Sequence, residues 1–210
     1  MARIRTKIRP IDDWPLVGLP LALSRVHCHT PPMSTDINEV AIYADGAASP
    51  NPGPGGYGVV LIRDGQRQEL SGGFRRTTCN RMEILGAIVG LRILGGEKSN
   101  AAIYSDSKYV VDMLNGGHAE KWRRNGWRRN KGKDPALNPD LWDEILDLAA
   151  RHEARFTWVR GHADNRENVR CDELAVAARQ GKDLPPDEGY ENPVVPGTPQ
   201  MSLFYLFGVK

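Results

Sequence analysis

Asp45, Glu83, Asp106 and Asp172 are the residues of this chain whose types and settings could do chemistry together. They occur in the stretches Ala44-Asp45-Gly46, Asn80-Arg81-Met82-Glu83, Tyr104-Ser105-Asp106-Ser107 and Arg170-Cys171-Asp172-Glu173-Leu174-Ala175, each where a strand is expected to end or a helix to begin. Such junctions collect at one edge of an α/β sheet, so acids distant in sequence can converge there. Converged carboxylates repel one another at neutral pH unless cations stand between them. Hard divalent cations take oxygen ligands, and a pair of Mg²⁺ ions held by carboxylates is the apparatus of phosphodiester cleavage. Taken singly, the same acids have plainer readings: Glu83 and Asp172 as charges at helix N-termini, Asp45 as a turn residue, Asp106 as a helix N-cap.

The elements that must position these acids are legible in the apolar pattern. Val40 to Ala44 reads as a buried strand, and Gly58 to Arg63, Asp64-Gly65 and Gln66 to Phe74 read as a hairpin, so three strands in succession suggest an antiparallel meander. Met82 to Leu94 has helical spacing and stops at Gly95-Gly96. Ala101 to Ser105 reads as a short strand, Lys108 to Leu114 as a helix, and Asn138-Pro139 as the N-cap and first turn of a helix through Leu141, Ile145, Leu148 and Ala149. Arg155 to Val159 reads as a strand and Val169 to Gln180 as the last helix. The predicted order is βββαβαβα: an α/β fold with a mixed sheet of three antiparallel and two parallel strands, the parallel ones reached by right-handed crossovers and flanked by helices.

A length of 210 residues, 40% of them hydrophobic, has room for one core of ordinary size and two short appendages. The net charge of +2 hides a local cluster, Lys121, Arg123, Arg124, Arg128, Arg129, Lys131 and Lys133, which a polyanion would feel. Cys28, Cys79 and Cys171 show no Cys-x-x-Cys spacing, so neither a disulfide framework nor a zinc knuckle is signalled, and a reducing cytosol fits best. No apolar run reaches a membrane span, and the first thirty residues lack the stretch of a secretory signal; a soluble, intracellular protein without a membrane partner is expected. Residues 1–38 are read as an extension, flexible or outside the native protein, with Met33 as a candidate start. Its His27-Cys28-His29 triplet has no distant partner set to complete a tetrahedral site.

Asp45-Gly46, Asn51 to Gly58, Thr77-Thr78-Cys79-Asn80-Arg81-Met82-Glu83, Ser105-Asp106-Ser107, Trp158-Val159-Arg160-Gly161-His162-Ala163 and Glu167 to Ala175, in this order and spacing, resemble bacterial-type ribonuclease H, type 1, over about Glu39 to Glu191. The resemblance implies a ribonuclease H-like fold with a catalytic domain over residues 39–184. It implies a monomeric, cytoplasmic endonuclease that cuts the RNA strand of RNA–DNA hybrids, leaving 3′-hydroxyl and 5′-phosphate ends, and that removes RNA primers and R-loops during replication. Two Mg²⁺ ions per site are implied, with Mn²⁺ able to substitute; Asp45, Glu83, Asp106 and Asp172 would be their ligands, Asp45 bridging, and His162 would assist proton transfer to the leaving group or product release.

Substrate contacts are implied for Gly46, Asn51, Thr78, Cys79, Asn80 and Lys108, with Thr78 and Asn51 resembling the family's DNA phosphate pocket. Cys79 stands where relatives often have asparagine and Lys108 where they often have glutamine; the lysine could form a phosphate link and make affinity more salt-sensitive. Lys121, Trp122, Arg123, Arg124, Trp127 and Arg128 resemble the family's basic handle for the DNA strand, the alternative being a solvated basic helix with Trp122 in the core. In the tail, residues 185–210, Gln200-Met201-Ser202-Leu203-Phe204 resembles the pentapeptide that binds the bacterial sliding clamp, with Gln200 at the rim of a groove and Met201, Leu203 and Phe204 as anchors. Two rival readings stay open: a non-catalytic hybrid-binding module, and a DNA-cutting nuclease or integrase relative built on the same sheet and acids.

Overall fold

The structure is a computed structural model that describes residues 39–161 and 165–193. β1 (Glu39–Ala48), β2 (Gly53–Arg63) and β3 (Gln66–Thr77) form the expected antiparallel meander. Asp64 and Gly65 both take positive φ, 51° and 73°, as the two-residue turn of a right-twisted hairpin requires. α1 (Cys79–Arg92) follows, then β4 (Asn100–Ser105), parallel to β1.

The crossover out of β4 comprises three helices: α2 (Lys108–Asn115), α3 (His118–Arg124) and α4 (Pro139–Arg151). Between α3 and α4 lie two short strands, β5 (Arg128–Arg129) and β6 (Asp134–Pro135), around a 3₁₀ turn at Asn130–Gly132. β7 (Arg155–Trp158) then pairs parallel to β4, and α5 (Arg166–Arg179) and the short α6 (Glu188–Glu191) complete the described chain. The five-stranded sheet has the order β3-β2-β1-β4-β7. The mixed sheet and the order βββαβαβα are as expected, with the second crossover subdivided.

The main core lies on one sheet face, where Ile42, Val59 and Ile103 meet Met82, Leu85, Ile88 and Leu91 of α1, Val110 of α2, and Trp142 and Ile145 of α4. On the other face, Tyr43, Val60 and Cys171 are buried together under α5, and Tyr43 stacks on Tyr104 at 4.8 Å. Asn138 precedes α4 in the left-handed region (φ 56°) and makes no side-chain cap bond. Instead its Oδ1 accepts from Arg81 Nη1 at 3.4 Å.

The segment after residue 184, expected to open the tail, is bonded to the sheet and to α1. Arg75 N donates to Pro185 O (2.9 Å), and the Arg75 guanidinium pairs with Glu191 (2.8 Å). Asp187, 6% exposed, accepts from Thr77 Oγ1 (2.6 Å) and twice from the buried Arg81, whose other edge is taken by Asp140 (2.7 Å). Among the described residues no helix is long and apolar enough to cross a membrane. The expected extension at 1–38 with its His27-Cys28-His29 triplet, the loop residue His162, and Gln200 to Phe204 lie outside the described residues.

Candidate active site

β1 carries Asp45 well inside the strand, opposite Gly58 of β2, so it is no turn residue. The next residue, Gly46, leaves the room α1 needs: a Cβ there would lie 2.3 Å from Glu83 N and 2.4 Å from the Met82 carbonyl carbon. Without a Cβ at Gly46 the first turns of α1 can close onto β1, which seats Glu83 beside Asp45. Gly46 N also donates to Asp45 Oδ1 at 2.7 Å, fixing that carboxylate.

Asp106 follows the last residue of β4, and the cap of α2 is its neighbour Ser107, whose hydroxyl accepts from Val110 N at 3.3 Å. The same hydroxyl donates to Glu83 Oε2 at 2.5 Å, so the capping residue orients a second acid while Asp106 stays clear of capping. Gly161 lies against Asp106; a Cβ there would come within 2.3 Å of Oδ2. Asp172 stands in the middle of α5, and Glu83 lies beyond the first turn of α1, which contains no acid. Helix-end stabilisation therefore accounts for neither.

The four acids share one electrostatic field. Asp45 is 7% exposed, and its carboxyl is pushed up to about 7, first by burial, then by the charge of Asp106, with Asp172 and Glu83 adding to it and the Gly46 N–H opposing. Burial, and secondarily Asp106, also raise Glu83 above the usual carboxylate range against the pull of Ser107. None of the four takes part in an ion pair among the described residues. No three His, Cys, Asp or Glu side chains among those residues close into a cage for one ion. That openness is what like charges do with nothing between them, and the donor set, oxygen only and uncompensated, fits a hard dication.

The expected substrate residues fall into two groups. Asn51, Thr78, Cys79 and Asn80 come together where the β1–β2 loop meets the start of α1. Asn51 Oδ1 accepts from Cys79 N (3.3 Å), Cys79 Sγ donates to Ala48 O (3.5 Å), Thr78 caps the helix by accepting from Arg81 N (3.3 Å), and Asn80 is exposed. Lys108 is the exposed first residue of α2. The second group is the basic stretch of α3 and β5. Its tryptophans Trp122 and Trp127 pack against the main core, as the alternative reading had it for Trp122. Arg123 is held by Asp143 and Asp147 of α4, both at 2.7 Å, and Arg124 lies 3.9 Å from Glu120. Lys121 and Arg128 are exposed, with no ion pair among the described residues.

Sequence reasoning missed Ser107 as the residue that orients Glu83, and Arg81 as the buried anchor of the helix that carries it. The Ser-Asp-Ser run could have signalled the first, since a serine directly after the acid is a natural N-cap. Arg81 gave no signal, because its partners Asp140 and Asp187 lie 59 and 106 residues away. Trp158, 43% exposed, was named only within a motif and given no role of its own; its Nε1 donates to the Asp106 carbonyl at 3.0 Å.

Comparison with known proteins gives the family of the fold. The RNase H family model matches residues 37–180. A ribonuclease H of Trichodesmium erythraeum is 54% identical over 159 residues, covering 76% of this chain and all of that protein, and one of Desulforamulus reducens is 57% identical over 154 residues, covering 73% and 96%. Among solved structures, LC9-RNase H1 superposes with a TM-score of 0.61 at 30% identity over 72% of this chain and 77% of its own. LC11-RNase H1, solved in complex with an RNA/DNA hybrid, gives 0.52 at 25% over 67% and 96%. With its acids on β1, α1, α5 and the end of β4, and with relatives matched over nearly their whole length, this chain belongs to the ribonuclease H family.

Proposed function

We propose that the chain hydrolyses the RNA strand of RNA–DNA hybrids endonucleolytically, leaving 3′-hydroxyl and 5′-phosphate ends, with Asp45, Glu83, Asp106 and Asp172 as ligands for two Mg²⁺ ions. The observation that carries the reading is the Asp45 carboxyl, buried beside three other acids that help push it up to about 7, and in no ion pair among the described residues. When bound, Mg²⁺ would neutralise this cluster, make the attacking water more acidic and stabilise the departing 3′-oxygen, and Mn²⁺ would serve in its place.

The chain's own part is positioning. Gly46 N–H holds Asp45, Ser107 Oγ holds Glu83, and the packing of α1 on β1 sets the two acids side by side. His162 would assist proton transfer to the leaving group or product release. Asn51, Thr78, Cys79 and Asn80, gathered at the start of α1, offer polar side chains for the phosphates of the DNA strand, and Lys108, Lys121, Arg124 and Arg128 add salt-dependent attraction. Discrimination would come from contacts to 2′-hydroxyls on the strand that is cut. The hybrid-bound relative LC11-RNase H1 supports the choice of substrate.

In the cell, such an activity in the cytoplasm would clear primers and R-loops, from a monomer whose catalytic domain is residues 39–184. Gln200, Met201, Leu203 and Phe204 would tether it to a sliding clamp. The test is cleavage of a labelled hybrid, a DNA duplex and an RNA duplex by wild type and Asp45→Asn, with and without Mg²⁺. Cleavage of the hybrid alone, dependent on Mg²⁺ and lost in the variant while hybrid binding persists, is expected; equal activity in wild type and variant, or cutting of duplex DNA, would refute the assignment.

A further inference from the structure

Three large hydrophobic side chains are exposed among the described residues, Ile93, Leu137 and Trp158, and only Trp158 is aromatic. It ends β7, beside β4, in register with Ser105. Its indole is engaged at two points. Nε1 donates to the main-chain carbonyl of Asp106 at 3.0 Å, and Lys108 Nζ lies 4.9 Å from the ring centroid, within cation–π range. One exposed ring therefore touches the backbone of an active-site acid and an active-site cation at once.

The position of Lys108 is informative. It follows Asp106 by two residues on the rim of a field made by four carboxylates, where a flexible ammonium would be expected to fold back onto an acid. Lys108 instead makes no ion pair among the described residues and lies over the indole. The aromatic face attracts the cation without neutralising it, so its charge stays available to an external anion.

We propose that Trp158 is a positioning residue that couples two parts of the site: its N–H fixes the Asp106 main chain, and with it the angle of that carboxylate, while its ring holds Lys108 ready for a nucleic-acid phosphate. The inference rests on the proposed hybrid cleavage. Its tests read Mg²⁺ binding and metal-free hybrid binding, so its failure is distinguishable from failure of that reading.

The two arms separate by substitution. Trp158→Phe keeps a ring face and deletes the N–H; Lys108→Gln deletes the charge and leaves the N–H; Trp158→Leu deletes both contacts. Each is measured for Mg²⁺ half-saturation by thermal shift, and for the salt dependence of hybrid binding by fluorescence anisotropy without divalent ions. Trp158→Phe should raise the Mg²⁺ half-saturation roughly 3- to 10-fold at an unchanged salt slope, in line with losses on removing a group that orients a ligand. Lys108→Gln should lower the slope of log K against log salt by about one unit, as loss of one phosphate contact does, with Mg²⁺ half-saturation unchanged. Trp158→Leu should show both effects, with folding verified by circular dichroism. An unchanged Mg²⁺ half-saturation in Trp158→Phe, or an unchanged salt slope in Lys108→Gln, would overturn the coupling.

Discussion

Two buried aspartates near the start of α1 have almost the same exposure and opposite surroundings. Asp187, 6% exposed, accepts from Thr77 and twice from Arg81. Asp45, 7% exposed, accepts from the Gly46 N–H and otherwise faces Asp106, Asp172 and Glu83. Arg81 and Glu83 stand two residues apart on the same helix, one in each setting, and Arg81 is held more firmly in its charged form by Asp140 and Asp187 despite its burial. Equal burial thus has two meanings. An acid closed around a protein cation fastens elements together, and an acid left without one is a place for a cation from outside.

The sharpest way to break this contrast is to neutralise the uncompensated member. Asp45→Asn should lose hybrid cleavage by roughly 10³-fold or more, since it removes one of the proposed Mg²⁺ ligands. It should also stabilise the metal-free protein at pH 8. For a carboxyl raised from 3.8 to about 7, the gain is bounded by about 4 kcal/mol. The sign follows from linkage: between those values the folded state holds a proton that the unfolded state has released, so metal-free stability falls as pH rises from about 4 to 7 and is flat above. Urea unfolding of both proteins across that range checks it.

At the compensated member the expected sign reverses. Arg81→Ala should cost about 3–5 kcal/mol of stability in urea, because it leaves Asp187 buried without its cation. Ser107→Ala acts on the uncompensated cluster through Glu83; it should cost about 1 kcal/mol as a lost cap and raise the Mg²⁺ half-saturation by freeing Glu83. The smallest effect belongs to the exposed pairs. Arg123→Gln should change stability by less than about 1 kcal/mol and leave the salt slope of hybrid binding alone, because its guanidinium is held by Asp143 and Asp147, whereas Lys121→Gln should lower that slope by about one unit.

Much of this was legible in the sequence. Strand alternation, the Asp64-Gly65 turn and the apolar spacing of α1 and α4 are local signals, and they gave the sheet and its helices. The four acids were legible as a set because their flanking motifs recur together. Their individual seating was not: Asp45 lies inside β1 and not at its end, and Asp172 lies deep in α5, because both elements extend beyond the runs that apolar pattern marks. Gly46 was read as a substrate contact; that its missing Cβ also makes room for α1 is a packing fact with no local trace. The tryptophans of the basic stretch fit a binding surface and a core alike in sequence, and Trp122 and Trp127 pack against the core while staying partly exposed, a placement that only packing across elements sets. Arg81 and its partners were illegible because ion pairing across a hundred residues leaves no pattern in either segment.

The most direct test of the account is the Mg²⁺-induced rise in melting temperature, measured for wild type and Asp45→Asn at pH 5 and pH 8. Protons and Mg²⁺ compete for Asp45, so wild type should gain markedly more from Mg²⁺ at pH 8 than at pH 5, and the variant should lose most of that gain and of its pH dependence. A Mg²⁺ effect of the same size at both pH values, or one that survives intact in Asp45→Asn, would contradict the claim that these carboxylates stand uncompensated to receive a dication.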